Sequence, residues 1–222
     1  MTQFKEKDFV KVELDLFANE KLVQTTSKKK AQDANLDLAK EYGPQTMVVG
    51  KEFLLKALDE DIKDAKKGES KILDLSIEDA FGKRKKDLLK IFQKKVFTEQ
   101  KLRVVPGVTY DFNGMYGTVK SVVGGRVMVD FNNPLAGKKI RIEYTVVEKV
   151  EDIKERLVLI FKRVLKFPEN LYKLDVKENN VSLKIPKELN IMKDQLLKAF
   201  EEYLNDYSTF KFDFSELEKP KK

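Results

Sequence analysis

The sequence contains no cysteine and no histidine among its 222 residues. Disulfides, thiolate nucleophiles, zinc sites built from Cys and His, and Ser-His or Cys-His catalytic pairs are therefore excluded. A general base would have to be Asp, Glu, Lys or Tyr. The missing cysteine fits a reducing compartment, and we expect a cytoplasmic protein that uses no metal and no cofactor.

Long apolar runs are also missing. The longest lies at residues 157–161, far short of the roughly 20 residues that span a bilayer, and residues 1–11 lack the apolar core of a signal peptide. We therefore expect no membrane association. With 41% hydrophobic and 36% charged residues, the chain can form packed cores under a heavily charged surface.

The net charge of +7 is concentrated in one segment. Residues 82–106 contain nine Lys and Arg against two Asp and Glu, and the rest of the chain is balanced. Such a patch attracts nucleic acid or an acidic protein surface, or is simply a solvated face. Only Phe92 and Phe97 could stack on bases there, so nucleic-acid binding is the least favoured of these interpretations.

The apolar pattern predicts an α+β fold. Alternation predicts strands over residues 9–16 and 71–78, and helical spacing predicts a helix over 52–66. Between Pro106 and Phe131, short alternating stretches are separated by Asn-Gly and Gly-Gly pairs, which supply the positive φ values of tight hairpins. This part is therefore predicted to be a small antiparallel β unit.

The pattern changes after Glu151. Helical spacing at 153–167 and 194–207 alternates with a hairpin pattern at 173–185 and a strand pattern at 210–214. We expect a separate C-terminal α+β domain over residues 151–217. The charged tail, residues 218–222, is expected to be disordered.

One acidic cluster needs an interpretation. Asp59, Glu60, Asp61 and Asp64 share the first predicted helix with several lysines. Clustered carboxylates can bind a metal ion, but because they alternate with lysines we interpret them as a solvated helix face.

Four stretches of the sequence stand out together: residues 50–60, 80–84, 127–132 and 135–138, the last reading Leu-Ala-Gly-Lys. In this order they resemble the FKBP-type peptidyl-prolyl isomerases, and among them the SlyD-like and long archaeal forms that carry an insert in the flap. The resemblance covers residues 8–150. The region after Glu151 resembles, more weakly, the extra C-terminal domain of the long archaeal form.

The resemblance implies a domain organisation. A bent antiparallel FKBP sheet around a short helix would comprise residues 6–84 and 134–150, and residues 85–133 would form a β-rich insert-in-flap domain that grips unfolded chains. The implied function is prolyl isomerisation and chaperone action on unfolded or proline-containing polypeptides. Rotation about a prolyl bond faces a barrier of about 20 kcal/mol but needs no acid, base or metal. A chain without Cys or His can therefore catalyse it.

The family's pocket maps onto altered residues. By resemblance the catalytic positions are Leu14, Val23, Gln24, Met47, Leu54, Leu55, Leu58, Phe81 and Ile142. The backbone N–H of Leu55 would hold the substrate carbonyl. Gln24 stands where the family has a carboxylate, Leu14 and Phe81 where it has tyrosines, and Met47 and Ile142 where it has aromatic residues. Because the remaining pocket is aliphatic and less polar, we expect weak isomerase activity or none, with chain binding retained.

The insert also offers candidate client-binding residues: Ile91, Phe92, Phe97, Leu102, Met115 and Tyr116. Apolar and aromatic side chains among lysines are typical of an adaptable binding surface. The alternative is that these residues form the insert's own core, because so small a unit needs most of its apolar groups inside.

Other functions remain open at this point. The chain could be a non-catalytic holdase on an FKBP scaffold, or a module that binds RNA or ribosomes through its basic segment. Phe210, Phe212 and Phe214 could pair with a second copy and form a homodimer, or they could belong to the core of the C-terminal domain.

Overall fold

The computed structural model describes residues 4–39 and 41–217, which belong to two compact units. The first unit lies within Met1–Phe17, Leu22–Leu73 and Ile142–Lys222, and the second comprises Ala18–Lys21 and Asp74–Arg141. The tail that was expected to be disordered, residues 218–222, lies outside the described residues. The predicted domain boundaries remain a prediction, although residues 151–217 share a unit with the main sheet.

The chain alternates strands and short helices, as expected for an α+β fold. The strands are β1 (Phe9–Ala18), β2 (Lys21–Thr25), β3 (Gln45–Val48), β4 (Ser70–Leu75), β5 (Leu89–Gln93), β6 (Thr109–Phe112), β7 (Met115–Val123), β8 (Arg126–Asp130), β9 (Ile140–Lys149), β10 (Lys173–Lys177), β11 (Asn180–Ile185) and β12 (Lys211–Glu216). The α-helices are α1 (Lys28–Asp33), α2 (Lys56–Lys63), α3 (Lys94–Glu99), α4 (Ile153–Leu159) and α5 (Lys193–Tyr203).

The main sheet has the strand order β2-β1-β9-β4, with β3 paired antiparallel to β1. The predicted strand over residues 9–16 is confirmed and extends to Ala18. Its alternate side chains Val10, Val12, Leu14 and Leu16 are buried, because successive residues of a strand point to opposite faces of the sheet.

The helix predicted over residues 52–66 is shorter than expected, since α2 spans only Lys56–Lys63. Glu52 has a φ of 47° and Leu55 is extended, with φ −146° and ψ 141°. The backbone at Glu52 and Leu55 is therefore not helical, which helical periodicity alone did not reveal.

The second unit contains a four-stranded sheet in the order β5-β8-β7-β6. Each neighbouring pair is antiparallel, and a bulge interrupts β7 between Val119 and Ser121. The predicted antiparallel β unit is thus confirmed. Strand β5 and helix α3, which lie in the basic segment, were not predicted.

The C-terminal part of the first unit folds as a second α+β layer. Strands β10 and β11 form the predicted hairpin, and β12 adds parallel to β11. The helix predicted over residues 153–167 begins as α4 and continues as a π-helix over Ile160–Val164. Phe161 stacks on Tyr172 with ring centroids 4.2 Å apart.

This C-terminal layer shares its core with the main sheet. One cluster of buried side chains contains Leu157, Phe161 and Phe200 together with Phe9 and Val48 of the main sheet. The backbone N–H of Val150 donates to the carbonyl of Phe9 at 2.7 Å. Residues 151–217 therefore pack on the sheet through apolar side chains.

The three phenylalanines near the C-terminus contribute to that core. Phe210, Phe212 and Phe214 are half-buried and pack against the same cluster. Phe212 stacks on Phe200, with centroids 5.1 Å apart. These side chains therefore belong to the core of the C-terminal layer, which was one of the two interpretations. A homodimer through β12 remains a prediction.

Candidate functional site

Most of the predicted catalytic positions are aliphatic side chains buried in the first unit. Leu14 of β1, Met47 of β3, Leu58 of α2 and Ile142 of β9 are 2%, 3%, 1% and 0% exposed, and Leu55, just before α2, is 7% exposed. These five predicted positions are therefore buried in the structure and expose little surface to a ligand.

Four other predicted positions are only half-buried: Val23, Gln24, Leu54 and Phe81. The first three belong to the first unit, with Val23 and Gln24 on β2 and Leu54 two residues before α2 begins at Lys56. Phe81 belongs to the second unit. Within the first unit, Leu54 and β2 are therefore the predicted positions that remain partly accessible.

The start of α2 holds the backbone at Leu55 in its extended conformation. The carbonyl of Leu55 accepts hydrogen bonds from the N–H groups of Leu58 and Asp59 at 3.1 and 3.2 Å. The carboxylate of Asp59 accepts the N–H of Glu52 at 2.6 Å, which braces the backbone at Glu52. Burial raises the pKa of the Asp59 carboxyl.

The interpretation of the acidic cluster as a solvated helix face is wrong for two of its members. Asp59 is 3% exposed. Asp61 accepts the hydroxyl of buried Tyr144 at 2.5 Å and pairs with Lys71 at 2.9 Å. These carboxylates serve to hold α2 in place, and among residues 4–39 and 41–217 no group of three or more acidic side chains could bind a metal ion.

Gln24 opens onto a polar cavity of about 290 Å³. Its walls come from β2, from the start of β3 and from the chain that follows α1: Val23, Gln24, Thr25, Leu36, Asp37, Glu41, Tyr42 and Gln45. The Tyr42 hydroxyl donates to the carbonyl of Asp37 at 2.7 Å. Sequence reasoning missed the contribution of Leu36, Asp37 and Tyr42, because the segment after α1 carries no periodic pattern.

The same segment is anchored to the sheet by a buried carboxylate. Asp15 of β1, which is 7% exposed, accepts the hydroxyl of Thr25 at 2.5 Å and pairs with Lys30 of α1. The hydrogen bond that Lys30 donates to Asp15 raises the pKa of the Lys30 ammonium group. Helix α1 is therefore tied to β1, which positions the loop that closes the polar cavity.

The insert sheet has two different faces. Its inner face carries a small core made of Phe97, Val119, Val127 and Val129, against which Phe92, Leu102, Val104, Tyr110, Phe112, Val122 and Phe131 pack. Phe92 stacks on Phe112 with centroids 5.3 Å apart. Three of the six predicted client-binding residues, Phe92, Phe97 and Leu102, thus lie in the core of the insert.

The other three are on the surface. Ile91, Met115 and Tyr116 are 62%, 63% and 69% exposed. Next to Ile91, an open depression of about 490 Å³ is lined by Ile91, Ser121, Val123, Gly124, Arg126 and Met128. Sequence reasoning missed Val123 and Met128 as surface residues, because apolar residues of a strand look alike until the buried face is known.

The two ends of the insert are joined by a polar clamp made of Arg84, Lys85, Asp130 and Asn132. The Lys85 N–H donates to the Asn132 side chain at 2.7 Å, whose amide N–H₂ donates back to the Lys85 carbonyl at 3.0 Å. Asp130, 3% exposed, accepts the backbone N–H and the side-chain amide of Asn132 and pairs with Arg84. This clamp fixes the point where the chain enters and leaves the insert.

None of the helices in the described part of the chain is long and apolar enough to cross a membrane.

Comparisons with known proteins agree with this architecture. Residues 93–135 match the family model of the FKBP26 IF domain. The chain is 27% identical over 150 residues to a short-type peptidyl-prolyl cis-trans isomerase of Methanocaldococcus jannaschii, covering 67% of this chain and 93% of the relative. It is 26% identical over 109 residues to an FKBP-type 16 kDa peptidyl-prolyl cis-trans isomerase of Escherichia coli, covering 47% of this chain and 73% of the relative. The chain is thus similar to FKBP-type peptidyl-prolyl cis-trans isomerases, and residues 93–135 are similar to an insert-in-flap domain.

Proposed function

We propose that this protein is a peptidyl-prolyl cis-trans isomerase that acts on unfolded, proline-containing chains and also binds them as a chaperone. The relatives named as isomerases support the reaction. Its chemistry needs no ionisable group, because lowering the rotation barrier only requires a pocket that fits the twisted prolyl bond better than the planar one. An apolar site meets that requirement, since the twisted amide has lost resonance and charge separation.

The observation that carries the proposal is the aliphatic character of the predicted pocket positions, of which Leu54 remains partly accessible. Leu55, Leu58 and Ile142 supply buried apolar surface, and Leu54 remains partly accessible at the entrance to α2. A prolyl ring could contact Leu54 while the extended backbone at Leu55 offers an N–H to the substrate carbonyl.

Weak catalysis follows from the same residues. Each aromatic side chain that is replaced by an aliphatic one removes part of the 150–250 Å² of contact area that such rings typically supply, at about 25 cal/mol per Å². Gln24 offers an amide in place of a carboxylate and faces a polar cavity. We therefore expect turnover well below that of family members with an aromatic pocket, and client binding mainly through the insert.

A non-catalytic holdase is the second candidate. It is favoured by the burial of Leu14, Met47 and Leu58, which are as inaccessible as core residues are. In that case the chain would bind unfolded polypeptides without changing the rate of prolyl isomerisation.

Exchange NMR on a short Leu-Pro peptide separates the two candidates. The rate of cis–trans exchange is measured with and without catalytic amounts of the protein. The proposal predicts acceleration, and predicts that Leu54→Ala removes it while Leu38→Ala, at a 49% exposed position of the same unit, does not. Unchanged exchange, in a sample that still suppresses aggregation of a denatured protein, would establish the holdase instead.

A further inference from the structure

The face of the insert sheet opposite its core carries a row of apolar side chains, which we call the outer face. Ile91 of β5 lies directly opposite Met128 of β8, which lies opposite Ser121 of β7. Directly opposed residues of antiparallel strands point to the same side of the sheet. These neighbours therefore form one continuous strip across three strands.

A second row follows on the same side. Val123 of β7 lies opposite Arg126 of β8, and Arg126 lies opposite Gln93 of β5. Val123 is 73% exposed and Ile91 is 62% exposed. An apolar strip thus borders a guanidinium group within one open depression of about 490 Å³.

The insert that carries this strip is strongly positive. Residues 83–133 contain eleven Lys and Arg against four Asp and Glu. Of the four carboxylates, Asp130 is buried and paired with Arg84, with Lys120 3.8 Å away, and Glu99 pairs with Lys95 at 3.7 Å. The Asp111 carboxylate accepts the N–H of Gly114 at 2.6 Å. The insert therefore carries an excess of positive charge, and Arg126 lies in the depression beside the apolar strip.

We propose that the outer face selects its clients by charge: it binds extended apolar segments that are flanked by acidic residues, in preference to the same segments with neutral or basic flanks. The apolar strip takes the side chains of the segment, while Arg126 and the net positive charge of the insert attract its acidic flanks. This inference rests on the chaperone part of the proposed function, and it adds the class of segment that is bound.

A polypeptide fits this surface better than a nucleic acid does. Single-stranded nucleic acids are held largely by stacking of bases on aromatic rings. Here the rings of Phe92, Phe97, Phe112 and Phe131 pack on the inner side of the sheet. The outer strip instead offers Ile91, Met128 and Val123, which suit aliphatic side chains.

The test uses the full chain and three fluorescently labelled peptides without proline. The peptides share one apolar centre and differ only in their flanks, which are acidic, neutral or basic. Fluorescence anisotropy then gives three dissociation constants at low and at high salt. The acidic-flanked peptide should bind on the order of tenfold more tightly than the neutral one at low salt, and this preference should shrink as salt screens the charges.

Two variants locate the effect on the outer face. Arg126→Glu should remove most of the preference for acidic flanks while the neutral peptide still binds. Ile91→Ser should weaken all three peptides by a similar factor. Lys211→Glu, at an exposed position of the first unit, makes the same change in charge as Arg126→Glu and is the control; it should change neither result.

Three outcomes would overturn the inference. If the three peptides bound equally well, the outer face would not select clients by charge, and the chaperone proposal would still hold. Binding of none of them would remove client binding by the insert altogether. Displacement of the acidic-flanked peptide by single-stranded RNA, lost in Arg126→Glu, would assign the face to nucleic acid. Because the peptides lack proline, none of these outcomes depends on whether the isomerase reaction occurs.

Discussion

The clamp at the base of the insert leads to a quantitative prediction for Asp130→Asn. The Asp130 carboxylate is 3% exposed, accepts two hydrogen bonds from Asn132 at 2.9 and 2.8 Å, and pairs with Arg84. Removing one member of a buried ion pair costs about 3–5 kcal/mol. Because the Arg84 side chain is 38% exposed, solvent screening lowers the expected cost to about 2–3 kcal/mol.

That loss is large for so small a unit. The insert core has four buried apolar side chains, Phe97, Val119, Val127 and Val129, and small cores rarely supply more than about 3–5 kcal/mol. We therefore expect Asp130→Asn to open the insert locally while the first unit stays folded. Client binding to the outer face should weaken in parallel.

Amide hydrogen exchange measures this directly. In the Asp130→Asn variant, the N–H groups of β5 and β8 should exchange much faster, and those of β1 and β9 should keep their protection. Asp111→Asn is the control, because Asp111 is exposed and accepts only the N–H of Gly114 among the contacts described above. If the N–H groups of β5 and β8 kept their protection against exchange in Asp130→Asn, the clamp would not hold the insert together as described.

Three further predictions concern the first unit. Asp206→Asn should lower the free energy of unfolding by about 2–3 kcal/mol in a urea titration, because Arg156, 6% exposed, loses the carboxylate that it contacts at 2.9 and 3.0 Å. Phe161→Ala should cost about 3–5 kcal/mol in the same titration, since its ring is fully buried. Burial and the hydrogen bond to Asp61 raise the pKa of Tyr144 above its usual 10.0. The free energy of unfolding should therefore fall as the pH rises past about 10, because the unfolded chain then loses the tyrosine proton more readily than the folded one. Thermal melts at increasing pH should show this fall, and a smaller one in Tyr144→Phe.

Local patterns were enough to predict much of the architecture. Alternation identified β1, and Asn-Gly and Gly-Gly pairs identified the hairpins of the insert, because strand periodicity and positive φ values are properties of neighbouring residues. The length of α2 could not be predicted in this way. Its start depends on the hydrogen bond between Asp59 and Glu52. The spacing of apolar residues does not reveal that these two residues interact.

The candidate site was only partly predictable. Family resemblance named the pocket positions, but the burial of Leu14 and Ile142 depends on packing between distant strands. On the insert, the residues that face solvent could be identified only once Phe97 of α3 was seen to cover one side of the sheet. Because α3 covers that side, Val123 and Met128 on the opposite side are exposed to solvent.

The most direct test of the proposed function is proline-limited refolding of an unfolded protein in the presence of substoichiometric amounts of this chain. Prolyl isomerisation is slow enough, at tens of seconds, to limit refolding. The account predicts a faster slow phase, which is lost in Leu54→Ala and reduced in Ile91→Ser. A slow phase that stays unchanged at every concentration of the chain, while aggregation is suppressed, would contradict the isomerase assignment.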